Sequence, residues 1–468
     1  MKKRTAVILK WVGIVVVVLG FAYGAMDFAS RRALKREYDA LRAEGRPMDL
    51  REIVPPAIPD AENAALVYNA AVQMLQAEPP VKLDGYEAPS GHEAVLYVQL
   101  VDVASSTLEY PTNAVATEHA ARLLDHPRVV EFLASIERGT ARPGYRQELD
   151  YSYGPGMLLP HLPQNRNVSR TLSVLARHQS AAGKTDDAWR TALTGIRFAD
   201  SLRTEPIIIS QLVRVAQLQI AMDALRSVAE VAPPSAEDCA KLEALLASFE
   251  NRKPLVRTFD FERLAMGEWA FKLPASEITV LGDNADKYLA DKYLLAVSAV
   301  FRPLRGVDHA AYLRVLHGYT RSAAEPYAPG DPEFGDRLLK EVPRYCILTR
   351  MAVPTFSAFE PKFTGMIAQA RVTRAGLAAI RFKQEHGAYP ADLQVLKLAN
   401  ADDPFTSKPL IYRPADRGFT LYSVGVNLVD DGGTEGKDSK SGDLAWRYEE
   451  RNPAEQPAGG DGKPAPQP

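Results

Sequence analysis

The sequence predicts a mainly α-helical membrane protein with an N-terminal transmembrane helix, a large irregular helical domain and a small C-terminal α+β module. Three observations support this fold class: the chain opens on an apolar run, apolar residues then recur at helical spacing, and strand-like segments follow residue 400. At 468 residues the chain exceeds one typical hydrophobic core. We therefore predict a cytoplasmic basic tip with the transmembrane anchor (1–30), a charged helix with a proline-rich linker (31–60), the helical domain (61–350), the α+β module (351–450) and a disordered tail (451–468).

The composition excludes several classes of protein. A formal net charge of −2 lacks the broad positive field of a nucleic-acid-binding protein, so we expect no nucleic-acid partner. The two cysteines, Cys239 and Cys346, are too few for a disulfide framework or for a zinc site built from cysteines. The sequence does not decide whether these two cysteines pair.

The apolar run at the N-terminus is long enough to cross a membrane. Residues 5–26 hold one charged residue, Lys10, and follow a short basic tip. As a helix this run spans a hydrocarbon core of about 30 Å, so we expect membrane lipid as its partner. The alternative is a signal peptide cleaved before Ala25, after small residues. Because the apolar character continues through Met26, we favour an uncleaved, single-pass anchor.

The residues directly after the anchor predict a helix and then an extended connection. Residues 27–46 predict a charged helix, with Gly45 and Pro47 as its stop signal. The three prolines of 51–60 predict an extended linker. Helical spacing of apolar residues begins again near residue 64 and marks the start of the helical domain.

Three further segments of the helical domain have clear helical signals. An apolar stripe over 168–182, followed by Gly183 and by two aspartates at the start of the next helix, predicts an antiparallel helical hairpin. The segment 207–225 is apolar on more than one face and is predicted to be a central helix. Another helix is expected over 236–249.

No motif in the sequence specifies a reaction, because HExxH, the nucleophile elbow and the phosphate-binding loop are all missing from it. Two regions are candidates for a hydrolase site: His161, on a stretch rich in glycine, proline and aromatic residues, and the carboxylates Asp260, Glu262 and Glu268. The apolar residues around these carboxylates would raise their pKa values and suit them to general-acid catalysis. The alternative is a structural role for each side chain, with the carboxylates paired to neighbouring arginines.

Residues 363–447 contain a specific order of elements. A helix ends at HGAYP, where Gly387 suits a left-handed cap, and the phrase DPF precedes two short strands, PLIYRP and GFTLYSVG, joined by a hairpin loop over 414–418. An acidic, glycine-rich loop follows and closes on the motif GDL. This order of motifs resembles the soluble core of the major pseudopilin of bacterial type II secretion systems. The resemblance covers under a fifth of the chain.

The resemblance implies a calcium site in the closing loop. In that family, a backbone carbonyl at the strand end and carboxylates of the loop bind the ion. Transferred to this sequence, the carbonyl is that of Val424, and the first side-chain ligand is Asn427, where the family has aspartate. The later ligands fall among Asp438, Ser439, Ser441 and Asp443, with the two aspartates as the first choice. Calcium takes six to eight oxygen ligands, and the neutral amide of Asn427 lowers the charge of such a site. The alternative is a solvated turn that binds no ion.

Together these features predict a membrane-anchored extracytoplasmic scaffold or binding protein with an envelope protein as its partner. The alternative is an envelope hydrolase with its site in the helical domain. Basic residues flank both ends of the anchor, so their distribution says little about orientation. The pseudopilin-like module leads us to expect a cytoplasmic N-terminus and a periplasmic bulk, or a secreted protein if the anchor is a cleaved signal peptide.

Overall fold

The computed structural model describes residues 2–81, 95–106, 114–274, 297, 301–326, 334–436 and 441–450. The predicted disordered tail, 451–468, lies outside these residues. The structure is 70% helical, with one long apolar helix at the N-terminus and a small three-stranded antiparallel sheet near the C-terminus. The prediction of a mainly α-helical fold with a small C-terminal sheet is therefore confirmed.

The helices and strands are numbered in chain order. The helices are α1 (Lys2–Ala43), α2 (Ala64–Ala77), α3 (Leu96–Ser106), α4 (Ala114–Leu124), α5 (Pro127–Thr140), α6 (His161–Ala181), α7 (Thr185–Asp200), α8 (Ile208–Val231), α9 (Ala236–Ala247), α10 (Lys253–Phe261), α11 (Glu268–Lys272), α12 (Arg302–Ala324), α13 (Phe334–Glu341), α14 (Ile347–Ser357) and α15 (Phe359–His386). A π-helical turn, Glu262–Gly267, joins α10 to α11. The strands are β1 (Ile411–Ala415), β2 (Gly418–Ser423) and β3 (Leu444–Glu449).

Helix α1 is long and apolar enough to cross a membrane, judged by its length and composition. Its most apolar window is 0% buried by the rest of the protein. The charged continuation of the helix was predicted correctly, and α1 ends just before Gly45, which adopts a φ of +67°. The amide of Arg46 then donates to the carbonyl of Leu41, closing the last turn.

The second half of α1 packs along α12. The rings of Tyr23 and Phe301 meet edge-on with centroids 5.3 Å apart. Further along, Arg314 of α12 pairs with Glu37 at 2.9 Å, and a salt bridge of 2.8 Å joins His317 to Glu44. Because the contacts advance along both helices together, the two helices run parallel. The apolar first half of α1 therefore continues directly into a half that packs on the folded core.

The segment predicted as an extended linker is also part of this core. Residues 50–52 form a 3-10 turn with a capping box, and the next residue, Ile53, is only 1% exposed. Arg257 donates to the carbonyl of Ile53, and Arg263 donates to the carbonyl of Pro47. The prolines prevent a regular helix here, but these arginines fix the backbone against α10 and the π-helical turn.

The predicted helical hairpin is formed by α6 and α7. Gly183 has a φ of +74° in the turn between them, and Asp186 and Asp187 lie in the first turn of α7, where the positive end of the helix dipole favours negative charge. The predicted central helix is α8, which packs against both α6 and α7. The two cysteines, Cys239 and Cys346, are both buried and free, so they do not pair.

The C-terminal helix and hairpin also match the sequence prediction, but the third strand was missed. Helix α15 ends at Gly387, which has a φ of +83°. Strands β1 and β2 pair with Ala415 opposite Gly418, and β3 pairs along the other edge of β2. Strand β3 was not predicted, because its residues directly follow the glycine-rich loop and its first residue was assigned to the end of that loop. The side chain of Arg226 on α8 donates to Thr373 of α15 at 2.9 Å and to the carbonyl of Ala445 at 3.1 Å, so the sheet is fixed to the helical domain.

Candidate functional site

A groove of about 640 Å³ lies where α8, the first half of α15 and the loop 425–444 meet. We call it the acidic groove. Its apolar walls include Leu212, Val215, Met366, Phe405, Val426 and Leu444. A volume of this size falls within the range of about 300–1,000 Å³ that is typical of binding pockets. The groove thus combines two helices of the large domain with the loop that the pseudopilin resemblance singles out.

Three carboxylates line the acidic groove. They are Asp223 of α8 and Glu435 and Asp443 of the loop. Burial raises the pKa of Asp223, Arg226 opposes this rise, and the nearby Glu435 carboxylate adds to it. The lining also contains the cation Lys362, and Asp223 lies 3.8 Å from Arg226. Three carboxylates against one lysine in the lining leave an excess of negative charge beside apolar walls, an arrangement that favours a ligand with both apolar and positively charged groups.

Asp403 holds the base of the loop. Its carboxylate is 2% exposed and accepts hydrogen bonds of 2.9 Å from the amide of Phe405, the hydroxyl of Ser423 and the amide of Val424. This aspartate belongs to the DPF phrase and so fixes the end of β2 to the turn before β1. The other end of the loop closes at Gly436, where an added Cβ would lie 1.7 Å from the carbonyl oxygen of Ser441. Only glycine fits this crossing.

The structure places Val424, Asn427 and Asp443 at one loop but gives them different partners. The amide of Val424 is held by Asp403. The side-chain oxygen of Asn427 accepts from the amide of Val429 at 3.2 Å, while its nitrogen donates to Asp431 at 2.9 Å. Asp438 and Ser439 lie outside the described residues.

Asp443 is the predicted ligand with the most unusual surroundings. It is 1% exposed, and its Oδ2 accepts from the amide of Gly433 at 2.6 Å. Its Oδ1 is buried with no hydrogen-bond partner among the described residues. Burial raises the pKa of Asp443, the backbone amides of Gly433 and Asp431 oppose this rise, and the carboxylates of Asp431 and Asp430 add to it. A cation beside Oδ1 would offset both effects.

The side chains of this loop carry carboxylate, amide and hydroxyl oxygens, which are the ligand atoms that calcium prefers. Within the described part of the chain, however, no group of three histidine, cysteine or acidic side chains is arranged to hold a metal ion. The calcium site therefore stays a prediction.

His161, the first hydrolase candidate, lies on a helix rather than on the predicted irregular loop. It is the first residue of α6 and is 4% exposed. Its Nε2 faces both carboxylate oxygens of Glu205, at 3.0 and 3.1 Å. The hydroxyl of Ser210 donates to the same carboxylate. Because the carboxylate lies between the serine and the histidine, the imidazole is not placed to remove the hydroxyl proton.

The three candidate carboxylates of 257–269 are also engaged in structural contacts. Glu262 accepts from the amide of Ile208 at 2.9 Å, at the start of α8, and burial raises its pKa to about 7. Asp260 lies 3.6 Å from Arg46 and 3.8 Å from Arg263, and Glu268 lies 3.6 Å from the same Arg263. His161, Glu262 and Glu268 do not line the acidic groove.

Sequence reasoning missed Asp223 and Asp403. Asp403 had a local signal, because an aspartate before proline commonly accepts hydrogen bonds from amides that follow it. Asp223 had none, since its role depends on a loop more than 200 residues further along the chain. Comparisons of the chain with models of protein families, with curated proteins and with solved structures give no match.

Proposed function

We propose that the protein is a membrane-anchored extracytoplasmic binding protein whose acidic groove binds a segment of an envelope protein. The observation that supports this most directly is the groove itself, with its apolar walls and its three carboxylates. Apolar walls with a negatively charged rim complement a polypeptide that carries apolar side chains next to a lysine or arginine. The proposed topology has the N-terminus in the cytoplasm and the bulk of the chain in the periplasm.

The continuous packing of α1 on α12 supports a scaffold rather than a freely tethered domain. If α1 enters the membrane, its packing on α12 would hold the domain that contains the groove in one orientation relative to the bilayer. The hydrolase alternative has less support, because the contacts of His161, Glu262 and Glu268 are those of buried structural groups.

Site-specific photo-crosslinking tests this function. A photoreactive residue replaces Gln219, an exposed lining residue of the groove, in the full chain in its native membrane. The matched control places the same residue at Lys241, on α9 outside the groove lining. We expect one adduct of defined mass from position 219 only, and its loss in the Glu435→Lys variant. The control Glu237→Lys, on exposed α9 surface, should keep the adduct. Equal adducts from both positions, or an adduct indifferent to Glu435→Lys, would contradict the proposal.

We also propose that calcium orders the loop that forms one wall of the groove. In the full-length protein, added calcium should raise the melting temperature in a concentration-dependent manner, since a ligand that binds only the folded state stabilises it. Asp443→Asn should remove this rise, while Asp416→Asn, at the exposed β1–β2 turn, should keep it. A melting temperature that stays constant up to millimolar calcium would exclude the metal and leave the groove proposal standing.

A further inference from the structure

A second cavity, of about 600 Å³, lies between the segment that follows α1 and the first turns of α10. We call it the basic cleft. Its lining includes Arg46, Ile53, Asn251, Lys253, Val256 and Arg257. None of them lines the acidic groove, so the two cavities are separate sites. Ile53 and Val256 give the basic cleft an apolar wall.

Lys253 and Arg257 supply positive charge without a carboxylate partner. They are four residues apart on α10 and so lie on the same face of the helix. Arg257 is half-buried, and its guanidinium donates to the carbonyl of Ile53. Within the ranges the structure describes, no carboxylate lies at ion-pair distance from either side chain. Burial lowers the pKa of Arg257, and the nearby Tyr151 opposes this shift.

The two acidic residues of the cleft are already used by other groups. The carboxylate of Glu52 accepts from the amides of Met48 and Asp49, at 3.0 and 2.8 Å. The carboxylate of Asp260 lies between Arg46 and Arg263. Because Arg46, Lys253 and Arg257 outnumber these two carboxylates, the cleft keeps a positive excess.

Two more groups of the cleft have hydrogen-bonding capacity left over. The Nε of Arg46 is buried and has no hydrogen-bond partner in the described parts of the chain. The side chain of Asn251 uses its oxygen to cap the amide of Lys253 at 2.9 Å, which leaves the amide nitrogen as a donor. A guanidinium, an ammonium and an amide nitrogen on one wall are the groups that bind an oxyanion.

We propose that the basic cleft binds a small soluble molecule with a phosphate or carboxylate group, held by Lys253 and Arg257, and an apolar part packed on Ile53 and Val256. Lipid head groups around the anchor are not the source. The last strongly exposed apolar residue of α1, Phe28, precedes the end of the helix at Ala43 by 15 residues, which is about 22 Å of helix. This site is independent of the acidic groove and of its proposed partner.

Thermal unfolding of the full chain in neutral detergent tests the proposal, with inorganic phosphate and succinate as probes and sodium chloride at matched ionic strength as reference. We expect phosphate, succinate or both to raise the melting temperature in a saturable manner. A response to one of the two identifies the head group. An equal response to chloride, or no response to either probe, would overturn the proposal.

Two variants locate the response in the cleft. Lys253→Gln, at an exposed position, should fold normally and weaken probe binding about tenfold, as expected for the loss of a charged hydrogen bond. Arg257→Gln should abolish binding, and Lys253→Gln stays informative if Arg257→Gln fails to fold. The control Lys241→Gln, on exposed α9, should bind as the unchanged protein does. Binding that survives Lys253→Gln unchanged would place the probe elsewhere and contradict the assignment.

Discussion

The two longest helices of the chain, α1 and α15, have opposite relations between polarity and burial. The most apolar part of α1 is exposed: Val17 is 71% exposed and Leu19 is 63% exposed. Helix α15 instead buries polar residues, with Thr373 at 0% and Arg374 at 7% exposure. Apolar content alone therefore does not locate the core of this protein. The apolar half of α1 is suited to contacts with lipid rather than with protein.

Helix α15 can be buried because each of these polar groups has a partner. Thr373 accepts from Arg226 of α8. Arg374 pairs with Glu250 at 2.6 Å, and Glu360, in the first turn of α15, pairs with Arg252 at 2.8 Å. Pairing removes the large cost of burying an isolated charge. Burial of this helix therefore depends on side chains from two other segments of the chain, α8 and residues 250–252.

The largest expected effect comes from the docked half of α1. Leu41 is 1% exposed and belongs to the main core, whereas Val16 is 62% exposed. Leu41→Ala should reduce the free energy of unfolding by about 3–4 kcal/mol, because it removes buried methyl groups and leaves a cavity. Val16→Ala should leave it unchanged. Urea denaturation of both variants in the same detergent measures the two effects.

Equal losses in both variants would mean that the two halves of α1 share one environment. A loss in neither would show that α1 is separable from the core. Either result would remove the basis for treating the anchor and the domain as one rigid structure.

A pair of glycines provides a second contrast between the two helices. Gly376 of α15 faces Trp446, and an added Cβ would lie 2.3 Å from the indole ring. An added Cβ at Gly24 of α1 would meet no atom within 4 Å. Gly376→Ala should reduce the free energy of unfolding by about 2–3 kcal/mol through overpacking. Gly24→Ala should cause no loss, since alanine has the better helix propensity.

The shift in tryptophan fluorescence gives a second measurement for Gly376→Ala, because Trp446 must move to make room. A Gly376→Ala variant with unchanged stability and emission would show that β3 does not press on α15 at this position.

The sequence predicts those parts of the fold that depend on local spacing. The helix caps at Gly183 and Gly387, the β1–β2 hairpin and the apolar run of α1 all come from residues that are close in the chain. The packing of α1 on α12 was not predicted, because its contacts join residues about 280 positions apart, such as Glu37 and Arg314. The prolines of residues 51–60 led to the prediction of an extended linker, but prolines exclude only a regular helix and do not prevent packing against the core.

The candidate sites show the same limit. The loop with Asn427 and Asp443 was found through a resemblance of local motifs, and the structure places it beside α8. Neither cavity could be predicted, since each combines elements that are remote in sequence. The carboxylates around Glu262 were correctly expected among apolar residues, and Arg263 of the same segment pairs with two of them, as the structural alternative predicted. The amide of Ile208, which donates to Glu262, comes from outside the segment and was not predicted.

The smallest expected effect concerns the acid sensitivity of the α1–α12 contact. The ring of His309 stacks on Phe271 with centroids 4.4 Å apart, and its Nε2 lies 3.5 Å from the hydroxyl of Tyr38 on α1. Burial lowers the pKa of His309 from 6.5 to about 4, and the nearby cations Lys272 and Arg305 add to this shift. The folded state therefore resists protonation more than the unfolded state does.

Because the folded pKa is the lower one, this stabilisation is complete above pH 6.5 and is lost as the pH falls towards 4. Between pH 7 and pH 5 the free energy of unfolding should decrease by about 1–2 kcal/mol through this group. His309→Gln, which stays neutral and keeps a polar group near Tyr38, should reduce that decrease. His386→Gln, at the exposed end of α15, should leave it unchanged. An identical pH dependence in the two variants would show that acid weakens the protein somewhere other than at the junction of α1 and α12.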